Sequence, residues 1–500
     1  MRLQWRVPFC LLRRLTKLGN HKRDAPNEPI APGFVVQHTC DLWASAVRLF
    51  WVVLGVSVSH TTLAVTHEYQ LEVAAGLEQI SVTAQLQRKG LTLRARKSKA
   101  ADLLELQTCS GDRIAKPNGN RIDLPDEVDC VIYTAPLASS EQSRRFRIDL
   151  PNAQLTSPSR WMWLPAITDE DRISVELTLP KGARASLPWR YIGAGRFEFG
   201  TSPKSGFSMA VIGDFIELDI PGIKKPAAYV GAKQHKQKIA RWLSASASML
   251  RGIGGRVPND EVQILVLPVT RSRGRSPVPF GRVVRDQGES IQFFVDLTQA
   301  DKRYLQDWTA PHEFAHTLLP FVGAQWVSEG FSGYYQNVLL ARGGIYSEQQ
   351  AWQHLVNSFG RAADVKNPPS PNETSDRPFW EVRMLLYWSG AALALMADAE
   401  IRFETGNAGS LDSVLATLAK CCLPSGHTWT SRELFIALDQ YGAGGIGRRL
   451  YDKHADARGM PGTADVLAKL GVVVVDKSVT LDDAAPWAHV RKAIMSGTIE

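Results

Sequence analysis

The chain has 500 residues, is 44% hydrophobic and carries a formal charge of +8. That length and apolar content are ample for two or three domains with real cores. The positive excess is small for the length and collects near the N-terminus, and no basic stripe interleaves with aromatics, so a nucleic-acid partner is not indicated.

Residues 1–65 read as a leader. Arg13, Arg14, Lys17, Lys22 and Arg23 make its start basic, and an apolar run, LFWVVLGVSVS, follows from Leu49 to Ser59. The run is shorter than the twenty or so residues of a membrane span. It suits the core of a secretory signal, with Thr62-Leu63-Ala64 as a processing site, or an uncleaved N-terminal anchor that associates with a membrane. Either reading places the mature protein outside the cytoplasm, in a periplasm or extracellular space; a buried strand is the alternative.

Residues 66–225 alternate apolar and polar in EYQLEV, FRIDL, DRISVELTLP, RFEFG, FSMAVIG and FIELDIP, punctuated by Gly and Pro. This is the pattern of an antiparallel β-domain, with Trp161, Trp163 and Trp189 as packing aromatics. Cys109 and Cys130 flank a polar, turn-rich loop and are expected to form a disulfide there. Cys10 and Cys40 fall in the leader. The adjacent Cys421 and Cys422 are expected to be free or packed thiols.

From residue 226 the pattern changes. Lys233 to Leu250 has helical spacing, and EVQILVLPV and SIQFFVDL read as buried strands. The stretch between them, TRSRGRSPVPFGRVVRDQGES, reads as a polar loop. Helices are expected at Ser347–Phe359, Trp380–Phe403, Leu411–Ala419 and Ser431–Leu438, with a Pro- and Asn-rich loop at 362–378. Residues 442–500 hold a short helix and the run VVVV, too little for a separate domain.

The chemistry concentrates in TAPHEFAHTLLPFVGAQWVSEGFSGYYQ, residues 309–336. On a helix over 309–319, His312 and His316 point from one face and can grip one metal ion, while Glu313 can reach a water on that metal. Thr309 suits the N-cap, Pro311 the first turn and Pro320 the stop. A second helix starting near Trp326 brings Glu329 as third ligand. Two imidazoles and a carboxylate leave one position open, as in catalytic zinc sites, so one Zn²⁺ per chain is expected. Strands first, then the helix pair, then helices is the order of an α+β, thermolysin-like catalytic domain over 226–441.

HEFAH, WVSEGFSGYY and YWSGAALALMADAEIR together resemble the gluzincin zinc metallopeptidases, closest to the glycyl aminopeptidase family. The resemblance covers roughly residues 230–405. It implies a β-rich N-terminal domain followed by a thermolysin-like zinc metallopeptidase domain, mostly helical in its second half. It also implies hydrolysis of peptide or protein substrates, with His312, His316 and Glu329 as zinc ligands, Glu313 as general base and Tyr387 as transition-state donor. Tyr387 can equally be an aromatic packed along an apolar helix. The family's lysine beside that tyrosine is Ser389 here, and the loop between His316 and Glu329 is shorter than is typical. Its glycine-rich glutamate motif is not evident; in the corresponding FGRVVRDQGESIQFF, Glu289 is the carboxylate available to anchor a substrate ammonium. Tyr334 is a further candidate to line the site, with a core role as the alternative. A zinc-binding protein of this fold that turns over no peptide and acts as a binding or assembly module in the cell envelope is the alternative function, and the presence of Glu313 argues against it.

Overall fold

A computed structural model of the chain describes residues 64–497, apart from 96–102, 138–147, 149, 151, 203, 205, 256 and 271–275. The leader, its apolar run, Cys10 and Cys40 lie outside the described residues.

The alternating segments form strands because one face of each can be buried while the other stays wet. In β1 (Thr66–Val73) the buried residues are His67, Tyr69, Leu71 and Val73. The partners are β2 (Gln79–Gln85), β3 (Glu105–Thr108), β4 (Cys130–Pro136), β5 (Arg172–Thr178), β6 (Arg190–Gly193) and β7 (Arg196–Phe199). They make a seven-stranded sheet in the order β6-β7-β5-β1-β2-β4-β3. Neighbours are antiparallel except β1 and β5, which run parallel. Trp161, Trp163 and Trp189 are buried in its core, and the Trp161 and Trp189 rings meet edge to face at 6.0 Å. Cys109 and Cys130 are bonded, closing the expected loop.

The second sheet contains β8 (Ile216–Leu218), β9 (Ala227–Tyr229), β10 (Gln263–Pro268), β11 (Phe280–Arg285) and β12 (Glu289–Val295), in the order β8-β9-β10-β12-β11. Both its faces are covered, which is why the ILVLP of β10 is a continuous apolar run rather than alternating. Ile264 and Val266 face the helical core, while Leu265 and Leu267 pack with Leu155 and Val211 of a three-stranded sheet. Strand β11 corrects the sequence reading, which took this stretch as a loop. Val283 and Val284 supply β-branched residues, and the reversal at Gln287 and Gly288, φ +60° and +149°, lets the chain pair antiparallel with β12.

Against this sheet lie α1 (Lys236–Leu250) and α2 (Thr309–Ala315), and packed with them and with one another are α3 (Gln325–Arg342), α4 (Glu348–Ala363), α5 (Phe379–Glu404), α6 (Leu411–Cys422) and α7 (Ser431–Leu438). Ser347, Ser410 and Thr430 cap α4, α6 and α7 through reciprocal side-chain and backbone hydrogen bonds. Thr309 does not cap α2 as expected. It is the first helical residue, and its N–H donates to the Asp307 carboxylate at 2.9 Å, a stronger acceptor than a hydroxyl. Helix α5 is long and apolar enough to cross a membrane, but most of that apolar stretch is buried inside the protein, so it reads as a core helix.

Two contacts fix α3 against α5. A Cβ on Gly390 would lie 2.1 Å from the Trp326 carbonyl oxygen, and one on Gly330 would lie 2.4 Å from Gly390 Cα. The backbones therefore touch, and only glycine fits. Further along, α3, α5 and α6 share a buried charge network. Arg402 pairs with Asp398 at 2.9 Å and with Asp412 at 3.0 Å, and Arg342 reaches Asp412 at 2.9 Å. The hydroxyls of Tyr334 and Tyr335 donate to Asp398 and Asp412 at 2.7 and 2.9 Å. Two arginines and two aspartates balance, which is what lets four charges be buried together.

Residues beyond 442 join the same helical core through Ile446, Leu450, Leu470 and Ile494, and the Arg342 Nε donates to the Ile494 carbonyl at 3.0 Å. Cys421 and Cys422 are bonded to each other rather than free. They occupy the last two positions of α6, where the chain turns extended at Leu423, so their ring interrupts no continuing helix.

Candidate metal centre and cleft

Helix α2 runs from Thr309 to Ala315 and tightens into a 3₁₀ turn at His316–Leu318, which ends where Leu319 turns extended before Pro320. His312 and His316 are one turn apart and project from one side. Helix α3 starts after a short reversal and presents Glu329 to them. Its Oε2 lies 3.2 Å from His312 Nε2 and 3.7 Å from His316 Nε2. One donor atom from each residue falls within a 4.8 Å cluster.

The outward ring nitrogens are held as well. His312 Nδ1 lies 3.1 Å from Gln336 Oε1, and His316 Nδ1 lies 3.1 Å from Ser328 Oγ. The Gln336 oxygen can only accept, so His312 carries its proton on Nδ1 and turns the Nε2 lone pair inward. That lone pair meets a carboxylate oxygen, which is also an acceptor. A cation between the two, 3.2 Å apart, can be shared by both. The imidazole and carboxylate donors, with outer partners orienting both rings, fit zinc. Burial drives the His316 pKa down to about 3, so this imidazole is neutral, as a ligand must be. Burial also lowers that of His312, but the Glu329 hydrogen bond and the charges of Glu313 and Glu329 outweigh it and raise the value.

Glu313 is buried beside the ligands, and burial pushes its pKa up to about 7. Its carboxylate also accepts from the backbone N–H of Val283 on β11, so the edge strand holds it in place. A Cβ on Gly281 would lie 2.7 Å from Glu313 Cγ and 2.9 Å from its Oε1. Gly281→Ala is therefore expected to displace this carboxylate while leaving zinc bound. A shift near 1 Å lowers turnover by about a hundredfold, which paired zinc analysis and steady-state rates check.

A cavity of about 500 Å³ opens over these groups, lined by α2, α3 and β11, by Trp308 and by Tyr387. Tyr387 lies on α5 with its ring 6.1 Å from the His312 ring, and its hydroxyl bonds Glu329. Burial, then the charges of Glu329 and Glu313, keep the phenol protonated, so it remains a donor. Two sequence-stated candidates lie elsewhere. Tyr334 belongs to the buried charge network and does not face the cavity. Glu289 sits across the β11–β12 turn, engaged by Arg285 and Asn259, and is not part of the cavity wall.

Sequence reasoning missed Ser328, Gln336, Gly281 and Arg282. Gln336 is seven residues beyond Glu329, two turns along the same helical face, so its spacing was a usable signal. The other signals are tertiary.

Residues 320–381 match the M61 glycyl aminopeptidase family. No curated protein matches the chain. The fold is similar to that of an aminopeptidase N family protein from Idiomarina loihiensis, at 15% identity and TM-score 0.55, covering 84% of this chain and 82% of that one. Other similar structures include a variant M1 zinc metallopeptidase from Deinococcus radiodurans (16% identity, TM-score 0.47, 80% of this chain and 95% of that one). Yeast LTA4 hydrolase in complex with bestatin is another (12% identity, TM-score 0.48, 80% and 68%). In residues 320–381 the chain resembles the glycyl aminopeptidases, and its α+β fold is similar to that of the aminopeptidase N family protein.

Proposed function

We propose that the protein is a zinc-dependent, aminopeptidase-like hydrolase of peptide bonds that acts outside the cytoplasm. The observation that carries the catalytic reading is the convergence of three acceptor groups, His312, His316 and Glu329, beside the buried carboxylate of Glu313. Export is supported by the apolar run at 49–59 and by the Cys109–Cys130 bond, which suits an oxidising compartment.

Zinc held by these three residues would supply a Lewis acid for the scissile carbonyl and would acidify a water beside it. Glu313 takes the proton of the attacking water and delivers it to the leaving amine. Burial suits it to both duties, because a carboxylate raised towards neutrality is a competent base and then a competent acid. Tyr387 offers its O–H to the oxyanion that develops on the former carbonyl. Strand β11 ends its sheet, so its outer backbone edge has no strand partner there, and an extended peptide can add along it.

Glu313→Gln keeps the size and the accepting oxygen but cannot shuttle a proton. Peptide hydrolysis is expected to fall by about 10²–10⁴-fold with one zinc per chain retained. Zinc content and cleavage of a mixed peptide library by both proteins decide the matter, and the cleaved ends report whether action starts at the N-terminus. Equal cleavage by both forms, or a parent that binds no zinc, overturns the proposal.

A further inference from the structure

The cavity wall has a charge pattern that the hydrolytic chemistry does not explain. Its carboxylates are Glu313 and Glu329, both committed to the metal centre, and its cations are Arg282 and Arg285. No further acidic side chain among the described wall residues can receive a substrate ammonium.

The two arginines differ. Arg285 is engaged with Glu289 and donates to the His316 carbonyl at 3.1 Å, and its guanidinium lies over the Phe321 ring, so it buttresses the turn behind the ligand. Arg282 is tied only through Nε, which donates to Gln292 Oε1 on β12 at 2.8 Å. Among the described residues no carboxylate pairs with it, and its terminal nitrogens have no protein acceptor. Burial lowers its pKa, the mark of a cation held partly out of water without a counter-charge. A half-buried guanidinium held by one neutral amide is costly unless something anionic arrives. Gln292 fixes the Nε end, which leaves the other edge of the planar fork for a carboxylate.

Resting on the peptidase reading above, we infer that Arg282 is a specificity residue that receives a carboxylate of the substrate, so the enzyme prefers acidic peptides. Two sources share this chemistry: an Asp or Glu side chain near the scissile bond, and the C-terminal carboxylate of a short peptide. In either case Arg282 touches the substrate but not the reacting atoms, so it governs binding and selectivity rather than the proton transfers of Glu313.

The test uses the full chain loaded with zinc, as parent, Arg282→Ala and Arg282→Lys. Peptides identical except for Glu, Gln or Lys at each position flanking the cleaved bond are compared, each with a free and an amidated C-terminus. The parent is expected to favour Glu over Gln by about tenfold or more in kcat/KM, the scale of a charged hydrogen bond. Arg282→Ala abolishes that preference while zinc content and cleavage of the Gln peptide persist, and Arg282→Lys restores part of it. A response to amidation instead of to side-chain charge assigns the carboxylate to the C-terminus. Calorimetric binding of the same peptides to zinc-loaded Glu313→Gln reads Arg282 without turnover, so failure of the peptidase reading and failure of this inference are distinguishable. Equal binding of Glu and Gln peptides, with either terminus, overturns the inference, as does an acidic preference that survives Arg282→Ala.

Discussion

Glu329→Ala is expected to yield a folded protein that retains no zinc and hydrolyses no peptide. Alanine is the better helix former, and Glu329 is the first of its partners to face solvent, at 25% side-chain exposure, so α3 has no reason to unwind. What is lost is the third donor. His312 and His316 remain aimed at a common point by Gln336 and Ser328, but two neutral imidazoles supply no negative charge to a divalent ion. Outer partners of ligands are worth about 10–100-fold in metal affinity, and a first ligand must exceed that. Equilibrium dialysis against a zinc buffer, with unfolding measured in chelator, separates the two effects. The variant should match the chelated parent in stability and lose zinc by more than about a hundredfold in affinity. Zinc retained at parent affinity would falsify the ligand assignment, because it would place the ion elsewhere.

The second large effect lies away from the cavity. Asp398→Ala removes the acceptor for Arg402 Nε, for the Tyr334 hydroxyl and for the Leu411 N–H, all buried. It also leaves two arginines facing Asp412 alone. Breaking one member of a buried charge network costs about 3–5 kcal/mol, much more than an exposed pair. Urea unfolding monitored by tryptophan fluorescence measures it, since buried Trp326, Trp352 and Trp388 report on this region. A loss below about 1 kcal/mol, the scale of a surface pair, would show that the four charges are not mutually dependent. Because α3 carries Glu329 and α5 carries Tyr387, a weakened junction should also loosen the metal centre at temperatures below global unfolding.

The sequence displayed the candidate metal-binding group because helical periodicity does the geometric work: four residues is one turn, and Glu329 arrives on the next helix. The antiparallel strands of the first sheet were legible for the same kind of reason, since half-burial enforces a period of two. The failures share a different cause. Strand β11 was read as a loop because an edge strand of six residues, set among Arg, Gly and Pro, has little periodic signal and is defined by its partner. Glu289 looked available as an anchor because its engagement by Arg285 across the turn depends on that unseen pairing. The Cys421–Cys422 bond was discounted because a ring between adjacent residues is strained, yet the two are bonded at the end of α6. Tyr387 was resolvable only by the crossing of α3 and α5, which sets its ring beside His312.

That crossing has an implication for how such an enzyme can diversify. Because Gly330 and Gly390 bring the two backbones into contact, the third ligand and the tyrosine are carried by what is mechanically one part. Neither can be retuned without moving the other, so substitutions there trade against catalytic competence. Strand β11 carries no ligand and meets solvent along one edge, and side chains can be exchanged at alternate positions without touching the helices. New substrate preferences should therefore accumulate on the strand, while the helix pair changes little, a division between a frozen engine and an editable rim that directed evolution of this chain can exploit.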